Sequence, residues 1–81
     1  MPPLRLTGAE LLAALERVGF ELIRRRGSHC LLRHVDGRTT VIPIHAGEML
    51  GPGLLAKILR DVGLSREEIL QLVSKRRRRP D

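Results

Sequence analysis

The stretch "RRRGSHCLLRH", Arg24 to His34, gathers the residue types that acid–base chemistry on a phosphodiester requires. An imidazole titrates near neutrality, so His29 is suited to taking or giving a proton at physiological pH. Gly27 lets a backbone or a phosphate come close, and Ser28 offers a hydroxyl. Arg24, Arg25 and Arg26, with Arg33 further on, carry guanidinium groups that hold phosphates and stabilise the charge of a pentacoordinate transition state. RNA brings its own nucleophile, the 2′-hydroxyl. A site of histidine and arginine without a metal therefore suffices to cleave it, by removing that proton. Positioned acid–base groups typically supply about 10²–10⁴ in rate. The same residues also admit a plainer reading, in which Gly27-Ser28 is an ordinary turn and His29 a polar residue at a strand start. Composition and spacing alone leave both readings open.

Other chemistries are poorly supplied. Neither G-x-x-x-x-G-K-[ST] nor G-x-G-x-x-G occurs, and "GPG" at 51–53 lacks the lysine and the preceding strand of a phosphate loop. His29, Cys30, His34 and His45 have no C-x-x-C partner and no acidic cluster beside them. As strand neighbours, His29 and Cys30 point to opposite faces, so no metal and no cofactor is expected. Cys30 falls at a core position, which argues against a thiol nucleophile. With one Phe and no Trp or Tyr, the chain has no platform of aromatics for stacking bases.

These side chains need elements to hold them. Thr7 to Gly19 reads as a helix: Thr7 and Glu10 form a capping box, Leu11, Leu12, Leu15 and Val18 share a face, and Gly19 ends it. Phe20 to Arg25 reads as a strand with Phe20 and Leu22 on one face and Glu21 and Arg25 on the other. Cys30 to His34 and Thr39 to Ile44 read as two more strands around "VDGR", a hairpin signal. A two-residue turn at Asp36-Gly37 would put His29 and His45 on opposite faces. A three-residue loop, Val35-Asp36-Gly37 with Gly37 left-handed, puts them on the same face, and it is the preferred register. It gathers Cys30, Leu32, Ile42 and Ile44 on a buried side and leaves His29, Arg33, Thr39 and His45 on the open one. Ala46 to Gly53 reads as a loop, Leu54 to Val62 as a second helix, and Ser65 as the cap of a short third helix ending near Val73. Helices on one face of a small antiparallel sheet make an α+β two-layer domain.

Charge points to the partner. The chain carries +6, of which "KRRRR" at 75–79 holds five. Arg24, Arg25, Arg26, Arg33 and Arg38 set against Asp36 leave a second positive segment in the middle of the chain. A polyanion such as nucleic acid fits this distribution. Residues 1–74 are expected to form one domain, and 75–81 a basic, disordered tail. The lone cysteine fits a reducing cytoplasm, and no signal peptide or run of ~20 apolar residues appears.

Together these residues resemble the HicA family of bacterial toxins. "GFELIRRRGSH" (19–29) resembles the family's Gly-Phe strand leading to Gly-Ser-His, and "RHVDGRTTVIPIH" (33–45) its hairpin ending in Pro-x-His. "GLLAKILRDVGLSREE" (53–68) is similar to its second helix and the following turn. The resemblance runs from about Gly8 to Leu70. It implies a fold similar to a double-stranded RNA-binding domain, α-β-β-β-α, with a short C-terminal third helix here. It implies a cytoplasmic mRNA endonuclease that arrests translation and is neutralised by a HicB-like antitoxin protein. On it, His29 is the catalytic histidine, with Gly27, Ser28 and His45 in supporting roles; Arg24, Arg25, Arg26 and Arg33 remain the expected RNA contacts. The basic run from Lys75 is not part of the family's pattern. A non-catalytic RNA-binding module using the same basic hairpin is the alternative.

Overall fold

The computed structural model describes residues 4–77, without the side chains of 75–77. The chain forms α1 (Gly8–Glu16), β1 (Phe20–Arg26), β2 (His29–His34), β3 (Thr39–Pro43), α2 (Pro52–Val62) and α3 (Arg66–Arg77). The strands make one antiparallel sheet in the order β1-β2-β3. All three helices belong to one layer: α1 packs against β1 and β3, α2 against β3, and α3 against α1. This is the expected α+β arrangement. No helix among the described residues is long and apolar enough to cross a membrane.

The caps follow from the sequence. Thr7 accepts from the Glu10 amide at 3.1 Å, and the Glu10 carboxylate accepts from the Thr7 amide at 3.0 Å, which closes the capping box. Ser65 and Glu68 repeat the device ahead of α3, at 2.9 and 3.0 Å. The second helix starts at Pro52 rather than Leu54. Proline suits a first helical position because its φ is already helical and its missing N–H would be unpaired there. Gly63, with φ 70°, ends that helix in the left-handed conformation. The third helix runs on through Arg77, past the expected end at Val73. The basic run expected as a tail therefore begins on a helix, and its remainder, 78–81, lies outside the described residues.

The second hairpin has the three-residue loop. The His34 amide donates to the Arg38 carbonyl at 2.8 Å, the Gly37 amide donates to the His34 carbonyl at 2.9 Å, and Gly37 has φ 99°. Cys30 then pairs with Ile42 and Leu32 with Thr40 on the helix side, where all four are buried. They meet Leu11, Leu15, Leu55, Ile58, Val62 and Ile69 in a single core. Each such aliphatic side chain contributes roughly 1.5–3 kcal/mol on burial. Thr40 satisfies its hydroxyl by donating to Asp61 on α2 at 3.0 Å, and Lys57 binds the same carboxylate oxygen at 2.9 Å. Gly8 sits so close under the end of β3 that a Cβ would collide with the Pro43 carbonyl oxygen. The start of α1 thus braces the strand position that pairs with His29.

The first strand departs from expectation. Leu22 pairs with Leu32, but Arg24 pairs with Leu31, so a β-bulge at Ile23 inserts one extra residue. The bulge reverses the alternation downstream of it. Arg25 pairs with Cys30 and so lies on the same side as Phe20 and Leu22, not opposite them. Leu22 itself is exposed at the sheet edge.

Candidate active site

Arg26 pairs with His29, which leaves Gly27 and Ser28 as a two-residue turn. Gly27 has φ 53° and no non-glycine residue among those described, Ser28 included, has a positive φ, the pattern of a II′ hairpin turn with glycine first. Gly-Ser is thus the tight turn of the plainer reading, and it places His29 as the opening residue of β2. There His29 is exposed between two cross-strand neighbours, Arg26 and Pro43. Side chains so paired have Cβ atoms about 4.5–5.5 Å apart.

The same register assigns the arginines. Arg26 shares the open face with His29. Arg24 joins them through its pairing with Leu31, and Arg33 lies there between Glu21 and Thr39. All three arginines are exposed. Arg25, between Arg24 and Arg26, points to the opposite face by strand alternation, and its Nε donates to the Gly27 carbonyl at 3.1 Å. It braces the turn from the other side of the sheet. Leu31 and Val41 pair across the middle of the open face, and Val41 is 42% exposed.

His45 is drawn to the same end of the sheet. The Ile44 amide donates to the Ser28 carbonyl at 2.7 Å, extending the ladder one step past Pro43. The exposed His45 follows at once, beside the Gly27-Ser28 turn. No hydrogen bond to the ring of His29 or of His45 is formed among the described residues.

The third histidine behaves otherwise. Its Nε2 lies 3.1 Å from the Val18 carbonyl oxygen, and its Nδ1 accepts from the Asp36 amide at 3.2 Å. The same Nδ1 also lies 3.1 Å from an Asp36 carboxylate oxygen. The ring also meets Phe20 edge-on at 5.1 Å and leaves no room for a Cβ at Gly19. Arg38 continues this cluster. Its Nε donates to both Asp36 carboxylate oxygens, at 3.1 and 2.9 Å, and one terminal nitrogen donates to the Val62 carbonyl at the end of α2. Its guanidinium lies 5.2 Å from the Phe20 ring centre. The side-chain hydrogen bond from Arg38, then its amide, hold the Asp36 carboxyl down at about 2. Nothing in the sequence pattern singled out His34 or Arg38 for this, because Val18 and Val62 are distant in the chain.

Among the described residues no three His, Cys, Asp or Glu side chains come together as a metal cluster. The site is therefore an exposed imidazole and three guanidinium groups on an open sheet, aligned by a tight turn and two antiparallel pairings. The family model described as the HicA toxin of bacterial toxin–antitoxin systems matches residues 8–64. That span runs from the start of α1 to the turn after α2, and it contains Gly27, Ser28, His29, Pro43 and His45. No curated protein matches the chain. The match covers well over half of the sequence and the whole sheet that presents His29, and on that ground the protein belongs to the HicA toxin family of bacterial toxin–antitoxin systems.

Proposed function

We propose that this toxin is a metal-independent endoribonuclease that cleaves mRNA and so arrests translation, with His29 as its general acid or base. The observation that carries the reading is the placement of His29: exposed, its ring unengaged, on the same sheet face as Arg24, Arg26 and Arg33. The 2′-oxygen attacks phosphorus, the bond from phosphorus to the 5′-oxygen breaks, and a 2′,3′-cyclic phosphate and a 5′-hydroxyl result. His29 takes the 2′-proton or gives the proton that the leaving 5′-oxygen needs; water exchanges the other. Arg24, Arg26 and Arg33 hold phosphates and offset the charge that builds on the transferring group. Arg25 acts by bracing the turn.

The family implies a HicB-type antitoxin. It is proposed to neutralise the toxin by covering the His29 face, where acidic groups would meet the arginines and speed association. One observation favours the alternative of an RNA-binding module without chemistry: no protein side chain among the described residues orients the His29 ring.

Cleavage of an unstructured RNA in the presence of a chelator decides between them. A 2′,3′-cyclic phosphate product, resistance of the matching DNA, and loss of cutting in His29→Ala are expected. Cutting by the folded His29→Ala protein at the wild-type rate would sink the reading.

A further inference from the structure

We propose that the depression beside β3, lined by Pro43, His45, Glu48, Met49, Leu50 and Leu54, is a nucleobase subsite that favours guanine next to the scissile phosphate. The inference rests on the catalytic reading of His29 and adds a source of sequence preference to it.

Place is the first argument. Pro43 is the cross-strand partner of His29, and it forms one wall of the depression. The bond from the Ile44 amide to Ser28 keeps the His45 segment beside the same turn. An RNA whose phosphate lies at His29 has a flanking base within reach of this wall.

Shape is the second. The depression holds about 160 Å³, below the roughly 300–1,000 Å³ of sites for larger ligands and suited to a single planar ring system. Its walls are held in place. Glu48 donates its amide to the His45 carbonyl at 3.0 Å in a turn where Gly47 has φ 71°. Leu50 donates to the Leu6 carbonyl at 2.8 Å, and Met49 bridges to Thr7. Leu50, Leu54 and Pro43 supply apolar surface for a ring, and Met49, 52% exposed, adds an adaptable thioether at the mouth.

Chemistry is the third and decides the base. Glu48 is an acidic group on the rim of a site built for a polyanion, and its carboxylate has no hydrogen-bond or ion-pair partner among the described residues. A carboxylate repels the phosphate backbone, so its use here is to accept from donors on a base edge. Guanine alone presents two adjacent donors, N1–H and the N2 amine, matched to the two carboxylate oxygens. Adenine and cytosine set one amine beside an acceptor nitrogen, and uracil sets one N–H between two carbonyls. In single-stranded RNA this edge is free to be read. His45 then supports the site by its imidazole against the base.

The test is a set of short single-stranded RNAs differing only in the base on either side of the cut. The wild-type protein is expected to favour guanine at one of these positions in kcat/KM by on the order of tenfold or more. Glu48→Gln, an exposed change whose melting temperature checks folding, is expected to collapse that ratio toward one. Equal cutting of all four bases by the wild-type, or an undiminished guanine preference in Glu48→Gln, would overturn the proposal. A second arm separates it from the catalytic reading. His29→Ala is titrated with guanosine and uridine monophosphates by amide chemical shifts. Shifts centred on Glu48 and Met49 for guanosine support the subsite even if no cleavage is seen; shifts elsewhere, or equal shifts for both nucleotides, overturn it.

Discussion

Two histidines bound the same strand. His29 opens β2 and His34 closes it. An odd number of steps separates them, so they point to opposite faces of the sheet. On the helix side, His34 is enclosed by Val18, Phe20 and Asp36 and serves the fold. On the open side, His29 has arginines around it and a ring that makes no hydrogen bond among the described residues. One residue type yields a structural joint in one place and a candidate catalyst in the other. The alternation of one strand separates them, and the bulge in β1 decides which arginines share the face of His29. Function should therefore follow the face and stability the partners.

The sharpest way to break this contrast is to truncate each ring in turn. His29→Ala should cost about 10²–10⁴ in cleavage rate, or all detectable cutting, and with it cell toxicity. Its stability should stay within about 0.5 kcal/mol of wild-type, because an exposed ring with no partner leaves no cavity. His34→Ala should do the reverse. One part-buried hydrogen bond at about 0.5–1.5 kcal/mol, a weaker exposed one and an edge-on aromatic contact are lost, so the melting temperature should fall by on the order of 10 °C. Its rate per folded molecule should hold. Calorimetry and a cleavage assay on the two variants give four numbers, and a large rate loss in folded His34→Ala would erase the distinction.

The arginines repeat the contrast at smaller scale. Arg24, Arg26 and Arg33 lie on the open face, whereas Arg38 clasps Asp36 and the end of α2. Replacing any of the first three by Ala should weaken RNA binding and flatten the log–log salt slope by about 0.7 for a single strand. Arg38→Ala should leave that slope almost unchanged and lower the melting temperature. Arg25→Ala tests the bulge: as a brace for the turn it should move the slope less than Arg24→Ala does. Filter binding over a salt series reads all five proteins, and a uniform effect across the arginines would mean that the face does not matter.

This division was only partly legible in the sequence. Capping boxes, terminal glycines and hydrophobic spacing are local signals, and they located the three helices and the three strands. The loop at Val35-Asp36-Gly37 was legible because only one loop length gives a coherent buried face. The bulge at Ile23 was not: an extra residue in an edge strand leaves no mark in a run of "LIRRR", yet it decides which arginines accompany His29. The work of His34 and Arg38 was hidden for another reason. Their partners at Val18 and Val62 are backbone carbonyls, which carry no side-chain signature. The family resemblance named His29 but is silent about the depression at Glu48, which exists only once β3, the His45–Glu48 turn and the start of α2 are folded together.

The smallest expected effect tests the His34 side of the contrast through acid. Asp36 accepts from Arg38 through its side chain and from the Arg38 amide, and these bonds lower its carboxyl from the ordinary 3.8 to about 2. Because the folded value lies below the unfolded one, the unfolded chain binds more protons between the two, and stability rises with pH across that window. The contribution is fully present above about pH 4 and is lost as the pH falls toward 2. Asp61 and Glu68 are shifted in the same direction, Asp61 first by the Lys57 hydrogen bond and Glu68 first by the Ser65 amide, so acid weakens the whole protein. Asp36→Asn isolates one share. The variant should melt below the wild-type at neutral pH, and the gap should narrow as the pH is taken from 5 down to about 2.5. The gap itself should be small, since the carboxylate is open to solvent and screened. Melting curves over that range are the measurement. A gap that stays constant with pH would show that Asp36 supports the loop by its shape alone, and that the charge of the Asp36–Arg38 pair adds nothing to the joint.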